Sequence, residues 1–171
     1  MNVILMSGIS GAGKDTYIKD RFSDMSVLSI VCSADTFFEK DEGYVFNPSL
    51  LPQAHAACVR KFIMNCELTY ADDHRYGDGS GYGYGDGYDN EGRNLIVNNT
   101  NLSSDELAPY VAIAQAYGHP IELVTIHCQP HIAAARSLHV NAIQVLRNMH
   151  DRLMARKLPP FWNLKRTEVN A

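Results

Sequence analysis

The feature that most constrains this chain is a glycine-rich loop close to its start. Val3 to Met6 is a short apolar run typical of a buried strand. The loop Gly8 to Gly13 follows it, and Lys14 opens a segment with helical character. Glycine adopts positive φ and leaves its backbone N–H groups uncovered, so such a loop can wrap around an anion. A strand, Gly-x-x-x-x-Gly-Lys and a helix in this order predict a phosphate-binding P-loop.

The loop departs from the usual pattern at one position. The pattern normally ends in Ser or Thr, whose hydroxyl holds Mg²⁺, whereas here Asp15 occupies that position and Thr16 follows. A carboxylate is a good hard ligand for magnesium, so Asp15 is a predicted metal ligand. The alternative is a glycine-rich turn before an ordinary helix. The residues predicted to contact bound phosphates are Gly8, Ser10, Gly11, Ala12, Gly13, Lys14, Asp15 and Thr16.

Composition is that of an ordinary globular protein with one domain. The chain has 171 residues, of which 46% are hydrophobic and 20% charged. No apolar run is long enough to span a membrane, and no basic-then-apolar leader opens the chain. Four scattered cysteines without a Cys-x-x-Cys pair are typical of free thiols in a reducing compartment. We therefore expect a cytoplasmic protein with no membrane contact and no stable protein partner.

Charge is unevenly distributed. Between residues 131 and 166, seven Lys or Arg residues stand against one acid, Asp151, which gives +6 and leaves −10 for the rest of a chain with net charge −4. Mild overall acidity argues against indiscriminate nucleic-acid binding. The basic C-terminal third is either a localised surface for phosphate or an ordinary solvated helix face.

Strand and helix patterns alternate along the chain. Further strands are predicted at Val27–Cys32, Leu95–Asn98 and Ile121–His127, with helices over about 13–24, 50–71, 104–117, 131–139 and 141–157. This order predicts an α/β fold of three layers, α/β/α, with a parallel sheet covered by helices on both faces. Phe161 and Trp162 are expected to lie in a tail that packs on the core.

Asp35 follows the second predicted strand. In an open α/β sheet, ligands collect at the carboxyl ends of the strands. Asp35 is therefore well placed to take a proton from an attacking hydroxyl, although N-capping of the next turn is an alternative role.

Residues 74–93 form a low-complexity segment of Gly, Tyr and Asp, which we expect to be flexible. One interpretation is an arm whose tyrosines stack on bases. The favoured interpretation is a tolerated surface insertion, because its four acidic residues would repel a phosphate backbone.

In combination, these stretches resemble the P-loop 5′-kinase domain of bacteriophage polynucleotide kinase and its zeta-toxin-like relatives. The similarity runs from Asn2 to about Met154, apart from the Gly/Tyr segment. The matching stretches are the Gly8–Lys14 loop, Asp35, Val97-Asn-Asn-Thr-Asn-Leu102 and the helix from Ser104 to Gly118; Ala135-Arg-Ser137 and Ile143–Met149 resemble that family's lid. The resemblance implies a P-loop NTPase of the kinase type with a basic helical lid over 131–157. It also implies transfer of phosphate from ATP, with Mg²⁺, to a hydroxyl of a nucleic acid, DNA rather than RNA.

The resemblance also implies roles for single residues. Asp35 matches the family's general base, and Lys14 matches the lysine on the β- and γ-phosphates. Arg136 lies in the lid segment that supplies an arginine to the transferring phosphoryl group. Arg147 is the first candidate for a further ATP contact, and Asp35 joins Asp15 as a candidate metal ligand.

Two further departures from the family pattern matter. Asn99 stands where the family usually has Asp, so metal or water handling would shift onto Asp15. The other departure concerns the acceptor, since no arginine lies near Asp35. Aromatic residues follow Asp35 instead, which suits a base, so the predicted acceptor is 5-hydroxymethyluracil in phage DNA or a polynucleotide 5′-OH. The predicted substrate contacts are Phe37, Phe38, Asn99 and Asn101. The alternatives are a small-molecule kinase for a nucleoside or nucleotide, and an ATP-binding regulatory or toxin-like module with little turnover.

Overall fold

The computed structural model describes residues 1–24, 26–40, 43–74, 93–136 and 142–171. The predicted flexible segment lies outside the described residues over 75–92, and so does the predicted lid over 137–141. The elements in chain order are strand β1 (Asn2–Ser7), helix α1 (Lys14–Arg21), strand β2 (Ser29–Cys32), two short strands β3 (Glu39–Lys40) and β4 (Gly43–Tyr44), helix α2 (Leu51–His74), strand β5 (Asn94–Asn98), helix α3 (Ser104–Ala116), strand β6 (Ile121–His127), helices α4 (Pro130–Arg136) and α5 (Ile143–Ala155), and strand β7 (Lys165–Asn170).

Five strands form one parallel sheet in the order β2-β5-β1-β6-β7, and β3 pairs with β4 in a separate hairpin. Strand β1 lies at the centre, between β5 and β6. Because all five strands run in the same direction, their carboxyl ends meet at one edge of the sheet. The residues that follow β1, β2 and β5 are therefore neighbours, although they are far apart in sequence.

Helices cover both faces of the sheet. Along β1, Val3 and Leu5 face a core shared with α2 and α3, while Ile4 and Met6 face a core shared with α1, α4 and α5. Buried on both faces, the central strand is apolar from Val3 to Met6, as expected for a parallel sheet. The predicted three-layer α/β/α fold is confirmed.

The last strand was not predicted. Residues 165–170 pair in parallel with β6, from Lys165 opposite Glu122 to Asn170 opposite His127. The expectation of a packed tail after the prolines is thus correct only for Trp162, which packs on the core; Phe161 is 79% exposed. Strand β7 lies at the sheet edge with most residues exposed, so its sequence lacks the apolar run of the inner strands.

Among the described helices, none combines the length and the apolar character that crossing a membrane requires.

Candidate active site

The loop between β1 and α1 has the backbone of a phosphate cradle. Gly8, Gly11 and Gly13 have φ values of 152°, 76° and 92°, a region that other residues rarely adopt. A Cβ on Gly11 would lie 2.3 Å from the carbonyl oxygen of Ala133 in α4. Only glycine fits there, because the helix backbone packs directly on the loop.

The side chain of Lys14, the first residue of α1, folds back into this loop. Its Nζ donates to the carbonyl oxygens of Gly8 and Ile9, each at 3.0 Å. Burial lowers the pKa of Lys14 to about 8, and the charges of Asp15 and Asp35 partly oppose that shift. The ammonium is thus enclosed by the loop that an anion would enter, where positive charge is poorly solvated and a phosphate would stabilise it.

A pair of oxygen-bearing side chains lies at the start of α1. The amide Nδ2 of Asn98, at the end of β5, donates to Asp15 Oδ1 at 2.6 Å. The Oδ1 atom of Asn98 is buried and has no hydrogen-bond partner among the residues that the structure describes. Such an orphaned buried acceptor is uncommon and suits a ligand. Oxygen ligands are those that Mg²⁺ prefers, so the residues present fit this ion.

The protein alone offers few metal ligands. In the described part of the chain, no three His, Cys, Asp or Glu side chains gather as a metal site. Magnesium at kinase sites is commonly held by one or two carboxylates together with substrate phosphates. Asp15 is the carboxylate in position for this, with Asn98 beside it. Asn98 was not predicted, and its place at the end of a strand next to β1 was the available signal.

Asp35 begins a 3₁₀ turn directly after β2. Its carboxylate is exposed and is near enough to Lys14 to oppose the lowering of that pKa. Burial raises the pKa of Tyr44 in the adjacent hairpin, and the Asp35 carboxylate, with which its hydroxyl is hydrogen bonded, raises it further. The capping alternative is not observed, since the N-cap of the turn is Ala34. Lys14, Asp15 and Asp35 therefore lie at the same edge of the sheet.

Of the two aromatic residues predicted to contact substrate, Phe38 does not have the exposed side chain that this role requires. It is 2% exposed and packs in the core, so it has no ring face for a substrate, and the prediction is wrong. Three aromatic residues around it are exposed, however, and we call them the aromatic platform: Phe37, Tyr44 and Phe46, at 37%, 38% and 50%. The rings of Phe37 and Phe46 pack edge-on against Phe38, at 5.5 and 5.1 Å between centroids. The core ring thus supports the exposed ones.

The two predicted asparagines are buried and position the backbone. Asn99 Oδ1 accepts from the N–H of Ala34 at 2.9 Å, and its Nδ2 donates to the Tyr110 hydroxyl at 3.2 Å. Asn101, with φ of 45°, donates from Nδ2 to the Met6 carbonyl at 2.7 Å. Both ends of the Asn99 amide are committed inside the protein, which contradicts direct substrate contact by Asn99. For Asn101 only the Nδ2 is committed, so its substrate contact stays a prediction. Asn99 instead holds the segment that carries Asp35.

The predicted lid arginines lie on α4 and α5. Arg136 is exposed in the last turn of α4, and Arg147 is exposed on α5. Neither guanidinium makes a hydrogen bond or ion pair with the residues that the structure describes. Arg147 lines a cavity of about 460 Å³ with Gln129, His131 and His150, among others. The catalytic role of Arg136 and the ATP contact of Arg147 stay predictions.

An arginine that sequence reasoning missed holds the base of the P-loop. From the segment after α5, Arg156 donates to Ser7 Oγ at 2.6 Å, to the Asn101 carbonyl at 3.0 Å and to Thr125 Oγ1 at 2.9 Å. Burial lowers the pKa of Arg156. Because Ser7 directly precedes Gly8, this guanidinium ties the ends of β1 and β6 together where the phosphate loop begins.

Two cysteines, Cys32 and Cys66, are held in the protonated form. All four cysteines of the chain are buried. Burial raises the pKa of Cys32, at the end of β2, to about 12, and does the same for Cys66 in α2. A thiol that stays protonated is not a nucleophile, so these two cysteines have no catalytic role.

Comparison with known proteins supports the same fold. A family model described as an AAA domain matches residues 87–156. Among solved structures, the chain is similar to one from a Pnkp1/Rnl/Hen1 complex, at 15% identity and a TM-score of 0.54 over 82% of this chain and 40% of that one. It is also similar to one from the PezAT toxin-antitoxin system of Streptococcus pneumoniae, at 16% identity and a TM-score of 0.51 over 77% of this chain and 48% of that one.

A third structure matches nearly the whole length of the present chain. A gluconokinase from Sinorhizobium meliloti matches at 14% identity and a TM-score of 0.54, over 99% of this chain and 82% of that one. The chain thus spans less than half of the first two proteins and most of the third. At these identities the likeness concerns the fold: a parallel five-stranded α/β sheet of the P-loop kinase type.

Proposed function

We propose that this protein is an ATP-dependent phosphotransferase that acts on a hydroxyl group. The observation that carries the proposal is the meeting of Lys14, Asp15 and Asp35 at one edge of a parallel sheet, around a loop in which Gly11 has no room for a side chain. The fold type and the family model that matches residues 87–156 agree with it.

Each residue has a task that its position suits. The N–H groups of the P-loop and the ammonium of Lys14 bind the phosphates and offset their charge. Asp15, with Asn98 beside it, holds Mg²⁺. Bound ATP and Mg²⁺ supply the phosphoryl group and the metal charge. Asp35 orients the acceptor hydroxyl and accepts its proton as the new oxygen–phosphorus bond forms and the bond to the leaving ADP oxygen breaks.

The acceptor that we favour is a nucleic-acid hydroxyl, either the hydroxymethyl group of 5-hydroxymethyluracil in DNA or a polynucleotide 5′-OH. The aromatic platform beside Asp35 supports this, because bases stack on exposed aromatic rings. So does the excess of Lys and Arg after residue 131, which would contact backbone phosphates. Phage origin and cytoplasmic location belong to the same proposal.

A small-molecule acceptor is the second candidate. The gluconokinase fold matches 99% of this chain without a large unmatched region. Salt separates the two candidates, since binding of a polyanion weakens steeply with added salt and binding of a neutral small molecule does not.

The test is transfer of radiolabelled γ-phosphate to three acceptors: a 5′-OH oligonucleotide, DNA with 5-hydroxymethyluracil and blocked ends, and free nucleosides. The wild type is compared with Asp35→Asn and with Asp20→Asn, which removes an exposed carboxylate of α1. We expect label on one acceptor, a fall of about 10²–10⁴-fold for Asp35→Asn with ATP affinity kept, and no change for Asp20→Asn. ATP binding without label on any acceptor would sink the proposal and favour a regulatory or toxin-like module.

A further inference from the structure

A second cavity lies between α2 and α3. Its volume is about 380 Å³, which is the size of a nucleoside rather than of an oligonucleotide. The cavity, which we call the α2–α3 pocket, is lined by His55, Val59, Thr100, Asn101, Asp105, Glu106, Pro109 and Tyr110. None of the roles assigned above uses it.

The walls of this pocket are bonded to the active site. The carbonyl of Thr100 accepts from the N–H of Gly8 at 2.9 Å, which joins the pocket to the P-loop. On the other side, Asn99 bridges the Tyr110 hydroxyl and the N–H of Ala34, the residue before Asp35. The pocket is thus connected through single hydrogen-bonded contacts to both the phosphate loop and the proposed base.

The chemistry of the lining is not that of a phosphate site. No Lys or Arg lines the pocket among the described residues, while two carboxylates do. One of them, Glu106, already accepts from the N–H of Leu102 and from Arg152, each at 2.6 Å. The other, Asp105, is exposed and has no hydrogen bond or ion pair in the described part of the chain. A phosphate would meet uncompensated negative charge here, whereas a neutral group with N–H or O–H donors would find an acceptor.

We infer that the α2–α3 pocket holds the uncharged unit of the acceptor, a nucleoside-sized ring with hydrogen-bond donors, and leaves any phosphate outside. This inference rests on the proposed phosphotransfer and names the substrate class. The unit is either a free nucleoside or one nucleoside of a strand, since both present the same neutral surface.

Equilibrium binding tests the inference without turnover. The probes are thymidine, thymidine 3′-monophosphate and a short oligonucleotide with one unpaired thymidine, measured by calorimetry at low salt. We expect thymidine to bind about fivefold more tightly than its 3′-monophosphate, and Asp105→Asn to remove most of this difference, since one exposed charge contributes about 1 kcal/mol at short range. Tighter binding of the monophosphate, or no binding of either small probe together with an oligonucleotide affinity that Asp105→Asn leaves unchanged, would overturn it.

A filling substitution provides the second arm. Val59→Phe narrows the pocket and should weaken thymidine binding about tenfold while ATP affinity stays the same. Ile63→Phe, one turn further along α2 and not in the lining, is the matched control and should change neither. If only the oligonucleotide binds the wild type, Val59→Phe must weaken oligonucleotide binding. That result identifies the bound nucleoside as part of a strand. Equal binding by both variants contradicts the inference, whatever the enzyme's activity.

Failure of this inference and failure of the proposed function are distinguishable. If the wild type binds thymidine, Val59→Phe abolishes that binding and no acceptor receives phosphate, the pocket inference holds and the proposed kinase function fails. If phosphate is transferred and Val59→Phe changes neither kcat nor the KM for the acceptor, the proposed function holds and the pocket inference fails.

Discussion

The two sides of the proposed active site, one for the nucleotide and one for the acceptor, are built in different ways. On the nucleotide side, the P-loop is backbone packed against backbone, with Gly11 pressed on α4 and Lys14 enclosed by loop carbonyls. On the proposed acceptor side, Asp35 stands on an exposed turn among exposed aromatic rings, and Asn99 links the residue before it to Tyr110 of the α2–α3 pocket. Backbone geometry tolerates little change, whereas surface side chains can change freely. The contrast explains how one fold can bind the same phosphates and serve many acceptors.

The sharpest test of this contrast is Gly11→Ala. The new Cβ would lie 2.3 Å from the Ala133 carbonyl, so either the loop or α4 must move. We expect ATP affinity to fall by about 100-fold, or 2.7 kcal/mol, measured by calorimetry. An alanine variant that binds ATP normally would show that the loop and the helix are not held as described.

The matched control on the acceptor side is Gly43→Ala. Gly43 also has positive φ, at 116°, but a Cβ there meets nothing within 4 Å. We expect a loss of about 1 kcal/mol of unfolding free energy from the backbone conformation and unchanged ATP affinity. Equal effects of both alanines on ATP binding would remove the distinction between the two sides.

The second prediction concerns Arg156, which ties the ends of β1 and β6 together at the base of the P-loop. Arg156→Met removes three hydrogen bonds and leaves Ser7 and Thr125 hydroxyls buried, so the free energy of unfolding should fall by about 2 kcal/mol. Because the side chain positions the loop base rather than touching substrate, KM for ATP should rise more than kcat falls. Arg156→Lys, which keeps a charged donor, should recover part of both losses. Wild-type stability and KM in the methionine variant would contradict a positioning role.

The third prediction is a pH dependence from Lys14. Burial lowers its pKa from 10.5 to about 8, so between these values the unfolded chain binds more protons than the folded one. Stability of the ligand-free protein should therefore rise with pH across this window, by up to about 1.4 kcal/mol per unit, and the contribution should be smallest below pH 8. The free energy of unfolding in urea is measured for wild type and Lys14→Met at several pH values. The difference between the two isolates the Lys14 contribution, because the other titrating groups are common to both proteins. Parallel stability curves would show that the ammonium is not desolvated.

Much of the nucleotide side could be predicted because its information is local. Gly8 to Lys14 are contiguous and follow a buried strand, so residue type and order suffice to indicate the loop. Asp35 could be placed because a parallel sheet brings strand ends together. The three-layer fold followed from the alternation of strand and helix patterns.

The parts that sequence reasoning missed depend on distant contacts. Arg156 resembles the other basic residues of the C-terminal third. Only its contacts with Ser7 and Thr125, 149 and 31 positions away in sequence, show that its guanidinium is half-buried and bonded inside the protein. Phe38 looked like a partner of Phe37, but the two side chains point to opposite environments, one into the core. Strand β7 is recognisable only through its pairing with β6.

The buried cysteines allow local opening of the protein to be measured through the rate at which their thiols are alkylated. With the pKa of Cys32 and Cys66 near 12, almost no thiolate exists at neutral pH in the folded state, and each thiol is shielded from reagent. Alkylation must therefore wait for an opening event, so its rate measures how often that part of the molecule opens. Cys32 samples the strand that leads to Asp35, and Cys66 samples the middle of α2. Mass spectrometry of a timed labelling reaction, with and without ATP, would rank the local stability of these two elements without any added label site.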